Sequence, residues 1–167
     1  MSQFQSNEVI GGGGDFNSVH TTKEQRLGQI VSAYDTDDTD YGVGEFIYCE
    51  GVAATALGSV VLVNMGDFTT TLASANAVGA LVATAMAPVL GSQYGWYQIG
   101  GKAVAKVLAS FASGKLCYLT STAGSIDDAV VVGDIIAGTI SVGAIATPAA
   151  GLALVALNRP SCNNASN

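Results

Sequence analysis

The chain has 167 residues, enough for one domain with a sizeable core and too few for two full domains. Apolar residues make up 49% and charged residues only 11%, against about 25% in an ordinary soluble domain, so small neutral side chains must cover much of the surface. Thirteen acidic and six basic side chains give a net charge of −7, and with no basic run anywhere this excludes binding driven by a nucleic-acid backbone.

Residues 1–27 read as an extended N-terminal arm. The start is polar (Ser2, Gln3, Gln5, Ser6, Asn7, Glu8), with no charged-then-apolar secretion signal, which leads us to expect a protein made in a cytoplasm. A four-glycine run, Gly11 to Gly14, stands among isolated apolar points at Phe4, Val9, Ile10, Phe16 and Val19. It resembles no phosphate loop, lacking both a preceding strand and a following Lys-Ser or Lys-Thr. Such a segment cannot offset its own ordering entropy, about 1–2 kcal/mol per residue for the backbone. It is therefore expected to dock on another chain through Phe4, Val9, Ile10 and Phe16. His20, the one histidine, has no cysteine or carboxylate at ligand spacing and reads as a solvated residue of the arm.

Residues 28–160 read as an all-β domain, a compact β-barrel or β-sandwich of about ten short strands. Strands are predicted at 29–34, 45–50, 59–64, 69–72, 80–86, 94–99, 103–108, 116–120, 135–142 and 152–157, separated by turns rich in Gly, Asp, Asn or Ser. Alternation is clearest in Glu45-Phe46-Ile47-Tyr48-Cys49-Glu50 and Lys102-Ala103-Val104-Ala105-Lys106-Val107, as half-buried strands require. The acidic run Asp35 to Asp40 offers hard oxygen ligands but fails the EF-hand spacing, since Asp40 stands where glycine is needed. It reads as a turn, and so does Asp127-Asp128. Trp96 and Tyr97 form the bulkiest aromatic pair, pointing to opposite faces of one strand as core residues or as an anchor at a subunit contact. The stretch 129–157 carries one charge, Asp134, but Gly133, Gly138, Gly143, Pro148 and Gly151 cut it into strand-length pieces, so it does not read as a membrane span. Arg159-Pro160 is expected to end the last strand, leaving 161–167 as a polar tail.

Cys49, Cys117 and Cys162 have no CxxC spacing and are odd in number, which predicts reduced thiols and no zinc site. With one histidine, a Ser or Cys nucleophile would have to draw its base from the arm. No catalytic residue, metal or cofactor is expected, and the chain does not read as an enzyme.

Six segments together resemble a family of small proteins of tailed bacteriophages, the capsid decoration or head cement proteins. They are Arg26-Leu27-Gly28-Gln29-Ile30-Val31, Gly44-Glu45-Phe46-Ile47-Tyr48, Gly51-Val52-Ala53, Gly95-Trp96-Tyr97-Gln98-Ile99-Gly100-Gly101, Gly124-Ser125-Ile126-Asp127-Asp128-Ala129 and Leu157-Asn158-Arg159-Pro160. The resemblance spans about residues 27–160. It implies a non-enzymatic, β-rich virion protein, often a homotrimer, that binds the major capsid protein on the outer surface of the capsid. Trp96, Tyr97 and Arg159 are then candidates for a subunit interface or the core. The alternative is a tail, baseplate or host-binding virion β-module, although long repeats and a coiled coil, the marks of a fibre, are missing from the sequence. A hydrolase would need an acid–base pair in a concave pocket, whereas the carboxylates cluster in turns.

Overall fold

The computed structural model describes residues 4–6, 15–36 and 41–163. Among them the regular structure is all strand: β1 (Phe4–Ser6), β2 (Val19–His20), β3 (Ile30–Asp35), β4 (Val43–Glu50), β5 (Val60–Val63), β6 (Thr70–Leu72), β7 (Val78–Ala85), β8 (Tyr94–Lys106), β9 (Leu116–Leu119), β10 (Ile126–Asp127), β11 (Ile135–Ser141) and β12 (Leu152–Asn163). One antiparallel sheet runs β1-β3-β4-β8-β7-β12-β11-β9-β10, with β2 added to β8 and β5–β6 added to β7. The path has two free ends, so the sheet folds over itself in sandwich fashion and does not close into a barrel.

Burial follows the side-chain alternation where a strand has one face in water. In β3, Val31 and Ala33 are buried while Ile30, Ser32 and Tyr34 are exposed. The centre differs, because Phe46 to Cys49 of β4 and Trp96 to Ile99 of β8 are buried on both faces. One face packs Phe46, Tyr48 and Trp96 with Phe16, Val31 and Ala33. The other packs Ile47, Cys49, Tyr97 and Ile99 against β5 and β7 through Val61, Val63, Ala83 and Ala85. A third cluster joins β8, β9, β11 and β12 around Ala103, Ala105, Cys117, Leu119, Ile136, Val155 and Leu157.

β7, β8 and β12 pair with one another, and every one of the three pairings is antiparallel. Three straight strands cannot all be mutually antiparallel, since two that oppose a third run parallel to each other. The strands must therefore bend where they meet. β8 does so at Gly100-Gly101, where its pairing passes from β4 and β7 to β12. Gly101 has φ +86°, and a Cβ there would lie 2.2 Å from the carbonyl oxygen of Val43. Only glycine meets both demands. The bend exposes carbonyls to a dry interior, and buried Gln98 answers by donating from Nε2 to the oxygens of Gly100 and Lys102, each at 2.9 Å. β12 bends at Arg159, with φ +41°, beside the register shift opposite Gly138.

Trp96 and Tyr97 are fully buried, on opposite faces of β8, so of their two readings the core one holds. Three other sequence expectations change here. Phe16 is not an arm residue free to dock elsewhere: it has no exposed surface, and its ring lies 4.6 Å from that of Phe46 and 5.0 Å from that of Trp96. Burying a phenylalanine against two aromatic rings supplies the free energy that the surrounding polar segment lacks. The backbone of Phe4 to Ser6 pairs with β3 of the same chain, whereas Val9 and Ile10 lie outside the described residues. Finally, Pro160 does not end β12. It sits at the register shift, where a residue without an N–H is tolerated, and the strand continues through buried Cys162.

Candidate interaction surface

The polar constellations resolve into structural contacts. His20 is mostly buried and not solvated, because β2 pairs with Tyr94 and Gly95 and lays the imidazole over Tyr48. Its Nδ1 shares a 2.8 Å hydrogen bond with Tyr48 Oη, and its Nε2 lies 3.3 Å from Glu24 Oε2. Burial pushes the Tyr48 phenol above its ordinary value. Asp127 Oδ1 accepts from the N–H of Asp128, whose own Oδ2 accepts from the N–H of Ala112. Both carboxylates thus act as turn residues. Asp37, Asp38 and Asp40 lie outside the described residues, while Asp35 closes β3. Among the described residues no group of three His, Cys, Asp or Glu side chains is placed to hold a metal ion. No helix there is long and apolar enough to cross a membrane.

The cysteines are free and buried. Desolvation pushes the thiols of Cys49 and Cys117 up to about 12, so neither carries the thiolate a nucleophile needs.

Arg159 lies on the surface at the three-strand junction. Its Nε and an Nη donate to the two carboxylate oxygens of Glu45 at 3.0 and 3.1 Å, a bidentate pair that ties β12 to β4 across the glycines of β8. Hydrogen bonding from Arg159 holds the Glu45 carboxyl below its ordinary value.

What remains distinctive is apolar surface. Of the thirteen large apolar side chains exposed among the described residues, seven lie between Leu116 and Val142. They fall into two groups. The first is the loop from β10 to β11, where Val130, Val131 and Val132 are exposed in succession and Val132 reaches 93%. This loop is fastened at its far end, because buried Asp134 accepts a 2.6 Å hydrogen bond from the N–H of Asn76 and its own N–H bonds back to Val131. The second is the outer face of β8–β12–β11–β9. Register aligns Lys102, Ala156, Ile140 and Leu116 in one row across the four strands. The next row carries Val104, Leu154 and Val142, and Leu152 lies opposite Lys106 beyond it. Leu116 and Ile140 are about half exposed, at 49% and 50%, and they border a shallow groove of about 330 Å³ that also takes in Ile135 and Ala156.

Each strand here turns its alternate residues inward, to Ala103 and Ala105, Val155 and Leu157, Ile136 and Thr139, and Cys117. The outward residues of an ordinary solvated sheet would be polar. Here they are apolar on β9, β11 and β12 in these rows, and on β8 Val104 stands between Lys102 and Lys106. Contiguous apolar surface of this kind makes the face a candidate interaction surface. The periodicity predicted the strands but could not reveal the patch, which exists only once register brings Leu116, Ile140 and Ala156 side by side. Val130-Val131-Val132 was the signal in the sequence, an unbroken apolar run in a predicted turn region.

The chain matches no protein-family model, no curated protein and no solved structure.

Proposed function

We propose that this chain is a structural protein of a tailed-bacteriophage virion, made in the host cytoplasm, that decorates and stabilises the outer surface of the capsid as a homotrimer by binding the lattice of the major capsid protein. The observation that carries the reading is the apolar outer face of β8–β12–β11–β9, a surface suited to a permanent protein contact. A low charge content, 11% of the chain, supports it, because small neutral side chains cost little to dehydrate when a partner covers them. The resemblance to decoration proteins also rests on residues that meet in the fold. Gly44 to Tyr48, Gly95 to Gly101 and Leu157 to Pro160 lie on β4, β8 and β12, which pair in that order, and Gly28 donates its N–H to the Tyr48 carbonyl. The role needs no cofactor, metal or catalytic residue.

Separation of virions into heads and tails, followed by quantitative mass spectrometry of each fraction, tests the proposal. The chain is expected to stay with the heads in constant proportion to the major capsid protein. Recovery with tails would favour a tail or baseplate module instead, and absence from virions would refute both.

A further inference from the structure

The apolar face of β8–β12–β11–β9 has a charge pattern opposite to that of the chain as a whole, and this points to what covers it. The chain carries −7, yet the charged side chains that register places in these rows are Lys102 and Lys106. The carboxylate nearest along the sheet, Glu45, is bonded through both oxygens to Arg159. A nucleic acid is a poor occupant, because two cations set among Leu116, Ile140, Val142 and Leu154 cannot follow a phosphate backbone. A second copy laid on the same face by a twofold axis would also be disfavoured, since it brings lysine-bearing surface against lysine-bearing surface with no carboxylate between.

We infer that this face is the docking surface for a folded protein partner whose own contact area is apolar and bears carboxylates positioned to meet Lys102 and Lys106. The inference rests on the proposed function, in which the partner is the major capsid protein. It adds which side of the chain faces the lattice and what chemistry the lattice must present there. Register sets Lys106 opposite Leu152 and Lys102 opposite Ala156; the Lys102 ammonium lies 5.9 Å from the centre of the Tyr41 ring, a contact between two partly exposed side chains that leaves it able to pair with a partner carboxylate.

The test uses the full chain and purified heads assembled without it. Binding is measured by co-sedimentation at low and high salt, for wild type, Ile140→Asp, Leu116→Asp, Lys106→Glu and, as a control distant in sequence and strand, Met65→Asp. Thermal unfolding of each and the mass of each free chain by analytical ultracentrifugation are measured alongside. Ile140 and Leu116 are half exposed, so their variants are expected to unfold near the wild-type temperature. The expected result is a loss of head affinity of roughly tenfold or more for Ile140→Asp and Leu116→Asp, the scale of losing one central interface residue. Lys106→Glu should bind more weakly at low salt and approach wild type at high salt, while Met65→Asp binds as wild type. If wild type binds heads and the two aspartate variants bind equally well, the face is wrong and the proposed function stands. If wild type does not bind, the proposed function itself fails. A free wild-type oligomer that Ile140→Asp dissociates would assign the face to a second copy and overturn the inference. So would a Lys106→Glu variant that binds as well as wild type at low salt, because the partner would then lack the carboxylates.

Discussion

Phe16 stands in a segment whose glycines and polar residues give it no period, so nothing along the chain identifies it as core. Its role emerges only when β4 and β8 bring Phe46 and Trp96 beneath it. Replacing it with alanine is expected to cost about 3–5 kcal/mol in denaturant unfolding, the range for a fully buried phenylalanine, and a cost under about 1 kcal/mol would mean that the site collapses or that the ring is dispensable. The thiols offer a second check at this scale. Cys49, Cys117 and Cys162 are at most 1% exposed, and all three should resist a thiol reagent in the folded chain and react together in denaturant. Rapid labelling of a folded-state cysteine would contradict the packing of its cluster. The Glu45–Arg159 pair can be followed by pH. Glu45 has its folded pKa below the ordinary value of 4.5, so whatever the pair contributes is fully present above that value and is lost as the pH falls through the folded value. Arg159→Gln should raise the Glu45 pKa, read by NMR titration of its carboxyl carbon; an unchanged value would mean that the pair does not persist in solution.

At the level of elements, the sequence was legible wherever alternation or a short apolar run stood between turn residues. Nine observed strands, β3 to β9, β11 and β12, overlap a predicted one, and their ends differ by a few residues at most except in β12. The failures have physical causes. Gly100-Gly101 reads as a break between two strands, but it is a bend inside one, because glycine that cannot be told from turn glycine by type is here clearing the path of β4. Pro160 reads as a terminator and instead occupies a register shift. β1, β2 and β10 have two or three residues each, too short to show any period. Gly101→Ala tests the bend directly. With φ +86° and a Cβ 2.2 Å from an oxygen, it should destabilise by more than the roughly 1 kcal/mol typical of point substitutions. A neutral effect in thermal unfolding would show that β8 can take another path.

Across the whole molecule, the spacing of short strands between turn residues made the all-β class legible, and composition made the uncharged surface legible. The location of the candidate interaction surface was not legible, since it depends on a register among β8, β9, β11 and β12 that joins residues from Lys102 to Ala156. Residues 1–27 were expected to carry the contacts; of those described, Phe16 is core and Phe4 to Ser6 pair with β3, while seven of the thirteen exposed large apolar side chains among the described residues lie from Leu116 to Val142. If the proposed face holds the chain, partner affinity should depend on Ile140 and Leu116 more than on the first residues. The central claim is that this face meets the capsid, and a cryo-electron microscopy map of the virion tests it most directly. The expected map shows this fold on the outside of the head, with Leu116, Ile140 and Lys106 buried against the major capsid protein. A map that places the chain on the head with that face open to solvent, or that finds it only in the tail, would contradict it.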